Sequence, residues 1–132
     1  MNPIKQLGPE MSVTGGVVPA DIAAIAGLGF RTLINNRPDG EAADQAPNAH
    51  LEAAARQAGL EYRYIPISPG GLTEDNVTAF AEAMQTMPAP ILAFCRSGPR
   101  SINAWTAASK RLGTDAEQPV RTGWFRRLAG LR

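Results

Sequence analysis

The chain has 132 residues, of which 44% are hydrophobic and 19% charged, a composition typical of a globular domain and not of a disordered chain. Its 13 Lys and Arg residues against 12 Asp and Glu residues give a net charge of +1, which argues against the broad basic face of nucleic-acid-binding proteins. One cysteine and one histidine exclude an intramolecular disulfide and a multi-cysteine zinc site, and disfavour a Ser-His-Asp triad.

Apolar segments separated by Pro and Gly predict alternating strands and helices. In chain order, these are a strand at 12–18, a helix opened by Pro19 and ended by Gly27, a strand at 30–34, a helix at 48–58, a strand at 62–67, a helix capped by Thr73 and ended by Pro88, a strand at 91–94 and a helix that begins near Pro99 and extends to Leu112. Strands separated by helices in this way predict an α/β fold with a mostly parallel central sheet flanked by helices.

Two of these strands have predictable places in the sheet. Residues 91–94 are continuously apolar, as expected for a central parallel strand that is covered on both faces. Pro66 has no N–H to donate, so the strand at 62–67 is expected to lie at an edge or to stop pairing there.

The last part of the chain is basic and weakly patterned. Within the segment at 114–132, residues 121–132 contain four arginines and no acidic residue. We expect a turn that packs Trp124, Phe125 and Leu128 on the domain, and contact with a membrane surface or a partner is the alternative.

The single cysteine lies where a reactive thiol would be expected. Cys95 follows the strand at 91–94 directly, and Pro99 suits the first position of the next helix because its missing N–H would have no partner there. The sulfur would therefore face a helix N-terminus, which together with Arg96 and Arg100 lowers the pKa of a thiol. An inert buried thiol is the alternative, but core packing gives no reason to place two arginines beside it.

The loop that carries this cysteine also suits an anion. Ser97 and Gly98 allow the backbone to curl so that several amides point at one centre, as in an anion-binding nest. Ligands of parallel sheets bind at the carboxyl ends of the strands, where this loop lies. The expected anion-binding residues are Arg96, Ser97, Gly98, Pro99, Arg100 and Ser101.

The segment Cys95–Ser101, Cys-Arg-Ser-Gly-Pro-Arg-Ser, resembles the active loop of rhodanese-type sulfurtransferases and the phosphate loop of cysteine-dependent tyrosine and dual-specificity phosphatases. With the turn Asn35–Glu41 and the segment Ile65–Ile67, residues 12–112 resemble the phosphatase-like domain of beta-lactamase-hydrolase-like proteins, the DUF442 family. This resemblance implies a tyrosine-phosphatase-like fold, with the cysteine as nucleophile and Arg100 as the clamp for the anion.

The sequence departs from the phosphatase pattern in three places. Four residues separate Cys95 from Arg100, one fewer than in such phosphatases, so the cradle for a phosphoryl group is smaller. The position of the usual aspartic acid falls near Ser68, which cannot protonate a leaving oxygen. Phe94 stands where such phosphatases usually have histidine. Four carboxyl groups could replace the missing acid, those of Asp39, Glu41, Glu74 and Asp75.

A persulfide adds only one sulfur atom to the loop and needs no strong acid when sulfite leaves. The sequence therefore favours a sulfurtransferase in which Cys95 takes sulfur from a thiosulfate or persulfide donor and passes it to a thiol acceptor.

The alternative is a phosphatase that acts on a phosphate ester through a Cys95 phosphocysteine. Ser101 fits this alternative, because such phosphatases use a hydroxyl after the arginine to release phosphate, although helix capping explains it equally well. A catalytically silent anion-binding domain is the third hypothesis.

Several polar residues outside the loop are candidates for the cleft. Asn36, Arg37 and Asp39 follow the second predicted strand, and Ser68 follows the third, at the same expected edge of the sheet. A turn fixed by Asn and Asp side chains explains the first three equally well. His50 is expected at the surface of its helix.

The remaining expectations concern partners and location. No apolar run approaches the roughly 20 residues of a membrane span, and the N-terminus lacks the apolar core of a signal peptide. The chain also lacks a Walker-type loop, a dinucleotide glycine pattern and clustered metal ligands. We therefore expect a single cytoplasmic domain over 1–132 with a small anionic substrate, no metal, no cofactor, no nucleic acid and no integral membrane segment.

Overall fold

The computed structural model describes residues 1–113, and the predicted packing of Trp124, Phe125 and Leu128 lies outside them. The strands are β1 Ile4–Gly8, β2 Met11–Thr14, β3 Thr32–Asn35, β4 Glu61–Tyr64 and β5 Ile91–Phe94. The α-helices are α1 Ile22–Gly27, α2 Asn48–Gln57, α3 Glu74–Thr86 and α4 Pro99–Arg111. In this part of the chain, no helix has the length and apolar character needed to cross a membrane.

The strands form one sheet in the order β1-β2-β5-β3-β4. The pairs β2–β5, β5–β3 and β3–β4 are parallel, and only β1 runs antiparallel to its neighbour β2. The predicted α/β fold with a mostly parallel sheet is therefore confirmed. The strand β5 lies at the centre, as its continuous apolar sequence predicts, and β4 lies at the edge, as Pro66 predicts.

The register brings the ends of the parallel strands to one line across the sheet. Phe94 pairs with Thr14 on one side and with Asn35 on the other, and Asn35 pairs in turn with Tyr64. The segments that follow these four residues therefore leave the sheet together, at the carboxyl ends of the strands. Parallel sheets bind their ligands at this end.

Two apolar layers cover the sheet. One face carries α3 and α4, whose side chains pack with Ile34, Ile91 and Ala93. The other face carries α1 and α2, which pack on Leu33, Leu92 and other buried residues of the same strands. Because successive residues of a strand point to opposite faces, each central strand contributes to both layers.

The structure differs from the sequence-based prediction at the N-terminus. The strand β1 was not predicted, because none of its five residues is fully buried and they show no apolar alternation. The strand predicted at 12–18 ends at Thr14, since the Gly16 N–H leaves the sheet and donates to the Arg96 carbonyl at 3.0 Å. The helix opened by Pro19 starts as a 3-10 turn, Pro19–Asp21, before α1 begins.

Truncation of a leucine in the central strand tests this packing. Leu92 is 0% exposed and lies in the apolar layer beneath α1 and α2, whereas Leu28 is 62% exposed. Leu92→Ala should lower the free energy of unfolding by about 2–5 kcal/mol, because it removes buried surface and leaves a cavity. The matched Leu28→Ala should change it by less than about 0.5 kcal/mol. Urea denaturation of both variants measures the difference, and similar losses would contradict the assigned core.

Candidate active site

The Cys95 sulfur lies in a ring of backbone N–H groups. The residue is 1% exposed, and its Sγ accepts a hydrogen bond from the Gly98 N–H at 3.0 Å. Burial raises the pKa of the thiol. The backbone N–H groups of Ser101, Ser97, Gly98 and Arg100 together lower it by more, so the pKa lies below its ordinary value. The site thus favours the thiolate, which is the nucleophilic form of cysteine.

Gly98 gives the loop the shape that this ring requires. Its φ of 115° lies in the region that residues with a Cβ rarely adopt, and it is the N-cap of α4. Pro99 occupies the first position of α4, as predicted. The reversal at Gly98 turns the following N–H groups back toward the sulfur.

Arg100 is held beside the sulfur by a carboxylate from a distant turn. Its Nη1 and Nη2 donate to the two carboxylate oxygens of Glu41 at 2.6 and 3.0 Å, and Nη1 also donates to the Ile67 carbonyl at 2.7 Å. The hydrogen bond with Glu41 raises the pKa of Arg100, burial opposes this, and the charge of Cys95 raises the pKa further. The guanidinium therefore stays charged next to the thiolate.

Glu41 lies between two arginines. Besides Arg100, the Nε of Arg37 donates to its Oε1 at 3.2 Å. The hydrogen bond from Arg100 lowers the pKa of Glu41, burial opposes this, and the charges of both arginines lower it further. A carboxyl group in this state is ionised at neutral pH and has no proton to donate to a leaving group.

Ser101 and Asn36 form a buried polar link under the loop. The Ser101 hydroxyl donates to the Asn36 Oδ1 at 2.7 Å, and both residues are fully buried. The Asn36 amide in turn donates to the Ile65 carbonyl at 2.9 Å, and its backbone N–H donates to the Phe94 carbonyl at 2.7 Å. The link fixes the first turn of α4 to the ends of β3, β4 and β5.

Arg96 contributes its backbone rather than its side chain to this arrangement. Its guanidinium is exposed, and the backbone amides of the loop are the largest causes of the lowered pKa of Cys95. A cavity of about 310 Å³ beside the loop is lined by Asn2, Pro3, Gly15, Arg96 and Ser97. A Cβ on Gly15 would lie 3.2 Å from the Arg96 carbonyl oxygen, so this close approach favours glycine.

Two of the predicted cleft residues have other surroundings. The Asp39 carboxylate accepts the Asn48 N–H at 2.7 Å at the start of α2, and the Asp39 N–H donates to the Tyr64 hydroxyl at 3.0 Å. Ser68 is exposed, and its carbonyl accepts the Gly71 N–H. Asp39 thus supports the turn that the sequence offered as the second explanation, and Ser68 makes no side-chain hydrogen bond among those found in residues 1–113.

The other residues singled out by the sequence lie away from the loop. Glu74 pairs with Arg111 at the surface, and Asp75 is in the first turn of α3. His50 is exposed, as predicted. The contact of Glu41 with Arg100 was not predicted, because these residues are 59 positions apart and the sequence shows Glu41 only as one of four candidate acids.

The chain is similar to a family of phosphatase-like domains over most of its length. Residues 3–111 match the family model of the beta-lactamase hydrolase-like protein, phosphatase-like domain. The beta-lactamase hydrolase-like protein of Agrobacterium fabrum is 32% identical over 131 residues, which cover 96% of this chain and 30% of that protein. Its counterpart from Xylella fastidiosa is 34% identical over 99 residues, which cover 75% of this chain and 23% of that protein. The chain therefore spans less than a third of the length of these curated relatives.

Solved structures confirm the predicted tyrosine-phosphatase-like fold. A provisionally named phosphatase from Neisseria meningitidis matches with a TM-score of 0.72 and 25% identity, with 98% of both chains covered. A DUF442 structure from Shewanella putrefaciens matches with a TM-score of 0.74 and 24% identity, over 86% of this chain and 71% of that one. The core catalytic domain of a PP-IP phosphatase from S. cerevisiae, in complex with citrate, matches with a TM-score of 0.58 and 12% identity, over 98% of this chain and 86% of that one.

Substitution of Gly98 tests how the loop lowers the pKa of the thiol. Gly98→Ala should strain the loop by about 1–3 kcal/mol and move its N–H away from the sulfur. The rate of Cys95 alkylation by iodoacetamide should then reach its midpoint at a higher pH than in the wild type, whose midpoint should lie below the ordinary 9.0. Gly27→Ala is the control, because its site is open and its φ is not positive. An unchanged midpoint in Gly98→Ala would contradict this role of the loop.

Proposed function

Because the chain belongs to the family of phosphatase-like domains of beta-lactamase hydrolase-like proteins, we propose that it is a cysteine-dependent phosphatase that acts through a Cys95 phosphocysteine. The observation that carries this proposal is the ring of amides around a thiol of lowered pKa, with the Arg100 guanidinium beside it. A nucleophile and an anion clamp are the two groups that this chemistry needs at one place.

The proposed reaction has two displacements. The Cys95 thiolate attacks the phosphorus of a phosphate ester, so an S–P bond forms while the P–O bond to the alcohol breaks. The departing alkoxide or phenoxide takes a proton from water. Water then attacks the phosphocysteine, the S–P bond breaks, and inorganic phosphate and the thiolate are released. In both steps Arg100 and the loop amides balance the negative charge on the phosphoryl oxygens.

The family and the fold reverse the order of the two chemistries that the sequence suggested. The length of the loop favoured sulfur transfer, whereas the family model and the similar structures are phosphatase-like. The fold positions the cysteine, the arginine and the helix N-terminus in one place, as phosphoryl transfer requires. Phosphate ester hydrolysis is therefore the function that the molecule supports best.

Sulfur transfer remains the second candidate because of the state of the carboxylates. Glu41 is ionised between two arginines and has no proton to supply at the loop, and Asp39 is engaged at the start of α2. In this reaction the Cys95 thiolate would attack the outer sulfur of thiosulfate, the S–S bond to sulfite would break, and a persulfide would form. A thiol acceptor would then remove the sulfur without need of an acid.

One pair of assays on reduced protein separates the candidates. We expect the wild type to release phosphate from p-nitrophenyl phosphate or phosphotyrosine, and Cys95→Ser to release none. In parallel, intact mass is measured after brief exposure to thiosulfate. No ester turnover together with one added sulfur on the wild type alone would replace the phosphatase proposal with sulfur transfer. Turnover that survives in Cys95→Ser would contradict both.

The Ser101 hydroxyl gives a second prediction. The Ser101 backbone N–H belongs to the amide ring around the sulfur, and this suggests that the hydroxyl of the same residue assists the release of phosphate from the cysteine. Ser101→Ala should therefore slow the second displacement more than the first. Rapid-quench kinetics should then show a burst of p-nitrophenol. The variant should also lose about 1–2 kcal/mol of stability, because the Asn36 oxygen loses its donor. Ser109→Ala, a buried serine further along α4, is the control. Equal slowing of both displacements would contradict the assignment.

A further inference from the structure

The ion pair between Glu41 and Arg100 occupies only part of the guanidinium. We propose that Glu41 is a positioning residue, which holds Arg100 so that the edge formed by Nε and Nη2 remains for the anion bound at Cys95. The proposal rests on the proposed function in that the anion is the phosphoryl group of the substrate. It assigns to Glu41 a role other than that of the acid that the sequence suggested.

The hydrogen bonds of Arg100 identify the edge that remains. A guanidinium carries five N–H donors in one rigid plane, one on Nε and two on each Nη. The two Glu41 oxygens take one donor from each Nη, and the Ile67 carbonyl takes the other donor of Nη1. The hydrogen bonds to Glu41 and Ile67 thus leave the Nε donor and one Nη2 donor, which lie side by side on one edge. Two such donors match two oxygens of a tetrahedral anion.

The same guanidinium also interacts with the Cys95 sulfur. Arg100 lies in the first turn of α4, whose N–H groups surround the Cys95 sulfur, and a hydrogen bond with this sulfur contributes to the raised pKa of Arg100. Glu41 and the Ile67 carbonyl approach the guanidinium from the segments that follow β3 and β4. These two partners therefore fix the plane of the guanidinium, while the charge of the Cys95 sulfur acts on it from the loop.

Glu41 is itself fixed, as a positioning residue must be. Its carboxylate is 13% exposed and its Oε1 also accepts from Arg37, while its backbone N–H donates to the Gln45 side chain at 3.1 Å. The Gln45 amide donates in turn to the Pro38 carbonyl at 2.8 Å, which closes the turn on itself. A carboxylate on a turn held in this way can fix the direction of Arg100 as well as neutralise its charge.

Glu41→Gln tests the proposal, with Glu52→Gln as the matched control. Gln keeps one oxygen acceptor but cannot hold both ends of the guanidinium, so p-nitrophenyl phosphate turnover should fall about 10- to 100-fold. The affinity for inorganic phosphate, measured by calorimetry, should fall as well. Glu52 also pairs with an arginine, Arg56, but at the surface, and its variant should behave as the wild type.

The pH profile of Cys95 alkylation separates positioning from damage to the loop. The backbone amides that lower the pKa of the thiol do not involve Glu41, so the alkylation midpoint of Glu41→Gln should rise less than that of Gly98→Ala. A midpoint that rises as far as in Gly98→Ala, together with lost turnover, would show a collapsed loop and overturn the proposal. Unchanged turnover and phosphate affinity would also overturn it.

A second variant and a second anion keep the test decisive. Glu41→Asp retains the charge but shortens the reach, and its turnover should stay at least about tenfold below that of the wild type. Full activity in Glu41→Asp would show that the negative charge is sufficient without the reach of glutamate, and it would overturn the proposal. If the wild type binds phosphate but hydrolyses no ester, the proposed function fails, and the affinities of wild type and Glu41→Gln still test the position of Arg100. A wild type that binds neither phosphate nor thiosulfate would overturn the inference.

Discussion

The structure depends on the contact between a buried sulfur and the backbone amides that curl around it. A thiolate that is removed from water loses its hydration, and only a set of fixed donors can replace it. The amides of the loop supply these donors. Gly98 reverses the chain so that the donors converge, and Pro99 starts the helix whose first turn supplies more of them.

The parallel sheet gives this loop its neighbours. Because Thr14, Phe94, Asn35 and Tyr64 lie in one row, the segments after them emerge together and can contact each other. The Gly16 N–H then reaches the loop from one side, and the Asn36 side chain reaches it from the other. Two apolar layers hold the row in place, so the polar contacts at the edge rest on a rigid base.

Local signals in the sequence predicted the parts of the site that are close together in the chain. The apolar run at 91–94, Cys95 and Pro99 indicated the strand, the thiol of lowered pKa and the start of the helix, because each depends on neighbours within a few residues. The pairing of Arg100 with Glu41 could not be predicted, since it joins segments 59 residues apart and depends on side-chain direction. The strand β1 was missed for another reason, as partly exposed side chains on an edge strand leave no periodic pattern.

The order of the site along the chain has a consequence for synthesis and folding. The partners of the loop, Asn36, Glu41 and Ile67, all precede Cys95 in the sequence. When the cysteine leaves the ribosome, every group that will orient its neighbours has already been made. Yet Arg100 and Ser101 can contact Glu41 and Asn36 only when α4 is packed on the domain, because both residues belong to that helix. The side-chain contacts between the loop and these earlier segments thus depend on the docking of a single helix.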